Sequence, residues 1–108
     1  MNFLKKLFQG DGVERDDRAA YFYVQPHRCD DVMRVRVDLM NDLSQRDDVD
    51  GLWTRKLASS GNYKCNQVEL VLYFDKNRRL VDSEVQGGKM VDREAYDAWM
   101  ETQTAEQE

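Results

Sequence analysis

From Ala19 onward apolar and polar side chains alternate along much of the chain with a period of two, interrupted by turn-forming residues, and this pattern predicts strands. Phe22 and Val24 alternate with Tyr21 and Tyr23 until Pro26, which has no amide to continue a ladder. Met33, Val35, Val37 and Leu39 then alternate with Arg34, Arg36 and Asp38, one face for the core and one for solvent. Residues 52–57 form a third strand in which Arg55 shares a face with Trp53 and Leu57, so the pattern does not say which side is buried. Val68, Leu70, Leu72 and Phe74 alternate with Glu69, Val71 and Tyr73, as expected of a central strand covered at least partly on both faces. Residues 80–85 make its partner, ending at Gly87-Gly88, which reads as a flexible turn. Asp50-Gly51, Ser59-Ser60-Gly61-Asn62 and the polar residues 75–78 supply the remaining turns.

The period changes near both ends. Val91, Ala95, Ala98 and Trp99 recur at helical spacing after Asp92, whose carboxylate suits an N-cap, while Val91 and Tyr96 fit a hydrophobic staple. This helix should dock on the sheet through Trp99 and fray beyond Met100. At the other end Phe3, Leu4, Leu7 and Phe8 form a short apolar stripe beside Lys5 and Lys6, followed by Gly10 and Gly12 and a charged stretch without periodicity. The expected organisation is a mobile amphipathic leader and linker over 1–18, one globular domain over 19–101, and a frayed acidic tail over 102–108. The expected fold is α+β and β-rich: one mainly antiparallel meander of about five strands with a C-terminal helix, a strongly curled sheet being the alternative. Connections of this length suit hairpins better than parallel crossovers.

At 108 residues the chain can bury one core and no second domain, and no apolar run approaches the length of about 20 residues that a membrane-spanning helix needs. Residues 1–20 carry four basic and four acidic groups and residues 21–90 eleven of each, so the net charge of -5 lies in residues 91–108. A neutral middle and an acidic end give phosphate backbones no long-range attraction, which argues against nucleic acid. The leader lacks the unbroken apolar run of a secretory signal, so the expected setting is cytoplasmic, with reduced Cys29 and Cys65.

Motifs with chemical content are incomplete. Gly87-Gly88-Lys89 has Ser83 and Met90 where a phosphate loop needs Gly and a hydroxyl residue. Asp48, Asp50 and Gly51 match three positions of a calcium loop, yet Arg46 and Leu57 occupy its first and last ligand positions, leaving at most weak association through Asp47, Asp48 and Asp50. His27, Cys29 and Cys65 are donors that suit zinc if two strand ends meet, but a fourth ligand is missing. A Cys29 to Cys65 disulfide and a Cys29–His27 nucleophile pair are further alternatives. Asp16-Asp17 and Asp30-Asp31 are adjacent acidic pairs in polar surroundings, with nothing to set acid-base roles. No metal or other cofactor is expected.

What remains is surface chemistry. Tyr21, Tyr23, Arg34, Arg36 and Tyr73 can share one sheet face, where rings beside guanidinium groups bind anionic or aromatic ligands or acidic peptides. The Phe3, Leu4, Leu7, Phe8 stripe can dock on a partner groove or touch an anionic membrane surface weakly. The leading expectation is a non-enzymatic protein-interaction module with an unknown protein partner, a homo-oligomer being compatible with it. A ligand-binding module on the Tyr/Arg face is the alternative, and a small Cys/His enzyme the remote one.

Overall fold

The structure, a computed structural model, describes residues 13–107. The leader stripe of Phe3, Leu4, Leu7 and Phe8 lies outside the described residues. The chain is α+β and β-rich, with mostly antiparallel sheets and one C-terminal helix. The strands fall into two four-stranded sheets rather than one sheet of five. The first contains β1 (Glu14–Arg15), β2 (Ala19–Pro26) and β3 (Met33–Asp38) in that order, with β8 (Gly88–Val91) also pairing β2. The second has the order β4 (Ser44–Gln45), β5 (Leu52–Ala58), β6 (Val68–Phe74), β7 (Leu80–Gln86). Helix α1 spans Arg93–Gln107, so it continues beyond Met100, where the loss of apolar spacing suggested fraying.

The residues group into two compact units. The first takes the described residues up to Tyr21 together with Arg36–Arg55 and Val71–Glu84. Its core holds Ala19, Ala20, Val37, Leu39, Leu72 and Phe74, with Thr54 as a buried hydroxyl residue. β1 pairs antiparallel with the start of β2, Glu14 opposite Tyr21 and Arg15 opposite Ala20, where the sequence suggested an unstructured linker. Asp16 makes the turn between them: its amide donates to the Ala19 carbonyl, and its Oδ1 accepts the amides of Arg18 and Ala19. Asp38 shapes the next turn similarly, taking the amides of Met40 and Asn41 on Oδ1. Short polar side chains that bond nearby amides compete well against strand continuation, which is why strands stop at these aspartates.

The second unit comprises Phe22–Val35, Lys56–Leu70 and the chain from Val85 on. Phe22, Tyr23, Val24, Pro26, Val32, Val35, Val68 and Leu70 are buried in it. β8 runs antiparallel to β2, with Tyr23 opposite Val91 and Pro26 opposite Gly88. Gly87-Gly88, expected as a flexible turn, instead starts a strand at Gly88. Gly87 has φ +87°, and a Cβ there would stand 2.5 Å from the Gln67 carbonyl oxygen. A Cβ on Gly88 would collide with the Gln25 carbonyl oxygen. Backbones approach here at a distance only glycine permits.

Helix α1 begins as its sequence indicates. Asp92 Oδ1 accepts the Ala95 amide at 2.9 Å, satisfying one of the donors a helix start leaves free. Tyr96 reaches from the first helical turns onto Tyr23 of β2, ring centroids 5.2 Å apart, and also meets Trp99 at 6.0 Å. The helix therefore covers the Tyr23 side of β2. No helix among the described residues is long and apolar enough to cross a membrane.

Candidate functional site

In the first unit, alternation decides which way β5 and β6 face. Thr54 on β5 and Leu72 and Phe74 on β6 are buried, so Trp53, Arg55, Val71 and Tyr73 take the opposite face of these neighbouring strands. Trp53 is 36% exposed and Val71 and Tyr73 are half-buried. The Arg46 guanidinium lies 4.8 Å from the Tyr73 ring centroid and also bonds Asp48, its Nη2 3.1 Å from Oδ2. That bond holds the Asp48 carboxyl below its ordinary pKa, the Arg46 hydrogen bond being the main cause. Asp48 is thus committed to Arg46, and Asp47, Asp48 and Asp50 do not gather into a cation site among the described residues.

The five residues expected to share a Tyr/Arg face are distributed over both units. Tyr21, Arg36 and Tyr73 belong to the first, Tyr23 and Arg34 to the second. Arg34 and Arg36 are exposed, Tyr21 and Tyr73 half-buried, and Tyr23 is only 4% exposed beneath Tyr96. Tyr21 bonds Asp16, whose carboxyl also feels the positive charge of Arg36. Tyr73 has Arg46 as its cationic neighbour, and Trp53 on the adjoining strand was not among the expected site residues. The signal available for Trp53 was its shared face with Arg55, since a charged residue on one strand face marks it as the solvent side.

In the second unit, Cys29 and Cys65 form a disulfide, with a Cα separation of 5.6 Å, which corrects the expectation of two reduced thiols. Cys29 follows the end of β2 and Cys65 shortly precedes β6, and the fold brings these strand ends together. The Asp31 amide donates to Cys29 Sγ at 3.3 Å, and an Asp31 carboxylate oxygen lies 3.9 Å from Cys65 Sγ. The two sulfurs and an Asp31 oxygen all fall within 4.8 Å of one another, the metal-donor trio found among the described residues. His27 is exposed on the turn after β2, its amide bonded to the Gly87 carbonyl, and is outside that trio. With Cys29 in a disulfide, no thiolate is present for the Cys29–His27 nucleophile pair.

The disulfide lines a cleft of about 830 Å³ shared with Gln25, Arg28, Asp31, Lys64 and Trp99. The indole Nε1 of Trp99 is buried without a hydrogen-bond partner among the described residues. Trp99 as a whole is partly buried, its ring against Tyr96, in keeping with the packing role expected of it. Gln25 Nε2 donates to the Cys29 carbonyl at 2.8 Å, fixing the chain where it leaves β2.

No protein-family model, curated protein or solved structure matches this chain.

Proposed function

We propose that the chain is a non-enzymatic protein-interaction module whose contact surface is the outer face of β5 and β6 in the first unit, centred on Trp53. The observation that carries this reading is that exposed Trp53 shares a sheet face with half-buried Val71 and Tyr73 of the neighbouring strand, with Arg46 over the Tyr73 ring. Trp, Tyr and Arg are the side chains that most often dominate binding energy in protein contacts. The chemistry suits a protein segment that offers an apolar side chain to Trp53 and a carboxylate to Arg55 or Arg46. Nucleic acid fits poorly, because residues 21–90 carry balanced charge.

The ligand-binding alternative draws on a different observation: the cleft beside Cys29 and Cys65 combines Arg28, Lys64 and an indole N–H that has no partner among the described residues, donors that suit a small anion. The disulfide favours an oxidising setting over the cytoplasmic one expected from the sequence, since reducing cytosol keeps such thiols open.

Panning a random peptide display library on the full chain and on Trp53→Glu tests the main reading. Peptides pairing apolar and acidic residues should be enriched on the parent chain, lose binding to Trp53→Glu, and shift the amide resonances of Trp53, Val71 and Tyr73. Enrichment that survives Trp53→Glu overturns the reading, and shifts centred on Arg28, Lys64 and Trp99 transfer it to the cleft.

A further inference from the structure

The cleft in the second unit contains a chemistry that the proposed interaction surface does not use. Two sulfurs and a carboxylate converge there from separate parts of the chain: Cys29 and Asp31 from the segment after β2, Cys65 from the segment before β6. In the closed disulfide the sulfurs carry no negative charge and bind divalent metal poorly. Once open and deprotonated, they and Asp31 would present three anionic donors of types that zinc accepts together.

We propose that reductive opening of the Cys29–Cys65 bridge converts this end of the second unit into a Zn2+ site, with Cys29 Sγ, Cys65 Sγ and one Asp31 carboxylate oxygen as ligands and a fourth position open to the cleft. The reaction balances with a dithiol reductant. It delivers two electrons and two protons, the S–S bond breaks into two thiols, and the reductant's sulfurs become a disulfide. Zinc then displaces both thiol protons to solvent as the two Zn–S bonds form.

The geometry asks for little movement. Two Zn–S bonds of about 2.3 Å at a tetrahedral angle place the sulfurs about 3.8 Å apart. Side-chain rotation can open the pair to that separation from Cα atoms that stand 5.6 Å apart. Asp31 already lies beside both sulfurs, and the hydrogen bond that its backbone amide donates to Cys29 Sγ, 3.3 Å long, orients that sulfur. Outer hydrogen bonds of this kind hold metal ligands in place. All three residues are half-buried, so an ion can enter from the cleft. Three anionic ligands leave a net charge of -1 after binding Zn2+, and Arg28 and Lys64 on the cleft wall offset it.

Cobalt substitution supplies the test, because tetrahedral Co2+ bound to thiolates gives visible ligand-field bands and a near-ultraviolet charge-transfer band. The full chain is reduced with a non-chelating phosphine under argon, its near-ultraviolet circular dichroism is recorded, and Co2+ is titrated before displacement by Zn2+. The expected result is one metal per chain, in the reduced form alone, with thiolate charge-transfer absorption. Cys65→Ser should abolish it, and Asp31→Asn should weaken Zn2+ binding by roughly 10-fold or more, at least the loss seen when only an outer partner of a ligand is removed. If reduction loosens the fold, Zn2+ should restore the native dichroism. The proposal is overturned by reduced chain that binds no metal, by Asp31→Asn that binds as tightly as the parent, or by a loosened reduced chain that Zn2+ does not restore. None of these outcomes bears on peptide binding at Trp53.

Discussion

Tyr21 donates its phenolic proton to Asp16 Oδ2, while Oδ1 of the same carboxylate takes the amides of Arg18 and Ala19. One aspartate thus closes the turn between β1 and β2 and ties down a ring that the sequence offered as a ligand contact. The arrangement lowers the Asp16 pKa: the Tyr21 hydrogen bond contributes most, then the two amides and the charge of Arg36. A carboxylate with a depressed folded-state pKa stabilises the fold above its unfolded value and loses that contribution as pH falls through the folded value. The clip should therefore hold at neutral pH and open in acid, below the ordinary Asp value of about 3.9. Carboxyl-carbon NMR titration should place Asp16 below that value in the parent and closer to it in Tyr21→Phe. An unchanged titration in Tyr21→Phe would show that the ring does not hold the carboxylate.

Reducing the Cys29–Cys65 disulfide in metal-free buffer should lower the unfolding free energy by about 4 kcal/mol, the chain-entropy value for a cross-link of this span. The span is a sequence separation of 36 residues. Urea unfolding with and without phosphine reductant checks it. A shift below about 1 kcal/mol would mean that residual structure already restricts the reduced, unfolded chain.

Gly88→Ala should be among the most damaging single changes in the second unit. Its Cβ would meet the Gln25 carbonyl oxygen and come within 2.9 Å of Val68 Cγ2, so β8 must move away from β2 or β2 must bend. Overpacking of this kind costs about 1–3 kcal/mol, and lost ladder bonds add to it. Amide exchange should quicken at Tyr23 and Gln25, which face Val91 and Lys89 across the ladder. Unchanged protection would show that the pairing absorbs a methyl group.

Within the aromatic run of α1, Tyr96→Ala should cost more than Trp99→Ala. Tyr96 touches both Tyr23 and Trp99, so its loss separates the helix from β2 as well as from its neighbour. Trp99→Phe should lie within about 1 kcal/mol of the parent. It loses some packing area but also removes a buried N–H that has no partner among the described residues, and such a group costs about 1–3 kcal/mol. Thermal melts of the three variants give the order directly, and a Trp99→Phe chain much weaker than the parent would mean the indole nitrogen is engaged.

The strands with clean alternation were legible in the sequence because one buried face imposes a period of two: β3 and β6 fall within a residue of where Val35, Val37, Leu70 and Leu72 placed them. The helix start was legible because Asp92 and Tyr96 are local signals. β1 and β4 were not, since two residues such as Glu14–Arg15 or Ser44–Gln45 have no period to read. β8 was hidden for another reason. Gly87-Gly88 carries the chemistry of a turn, and only the approach of Gln25 and Gln67 reveals that the glycines make room for backbone. The division into two sheets and the meeting of Cys29 with Cys65 both depend on contacts between segments far apart in sequence, which no local pattern encodes. The Tyr/Arg residues were individually plausible as a surface, but Tyr23 went under the helix because Tyr96 offers it more apolar contact than water does.

The disulfide also turns the stretch between its two cysteines into a covalent ring. Exposed residues 47–50 and 61–64 are natural places for a protease to cut, and both lie inside that ring. A single cleavage there severs the backbone without releasing a piece: the product would differ from the intact chain by one added water and would separate into two fragments only after reduction. Susceptibility to proteolysis and loss of chain integrity are therefore uncoupled in this protein for as long as the bridge remains closed.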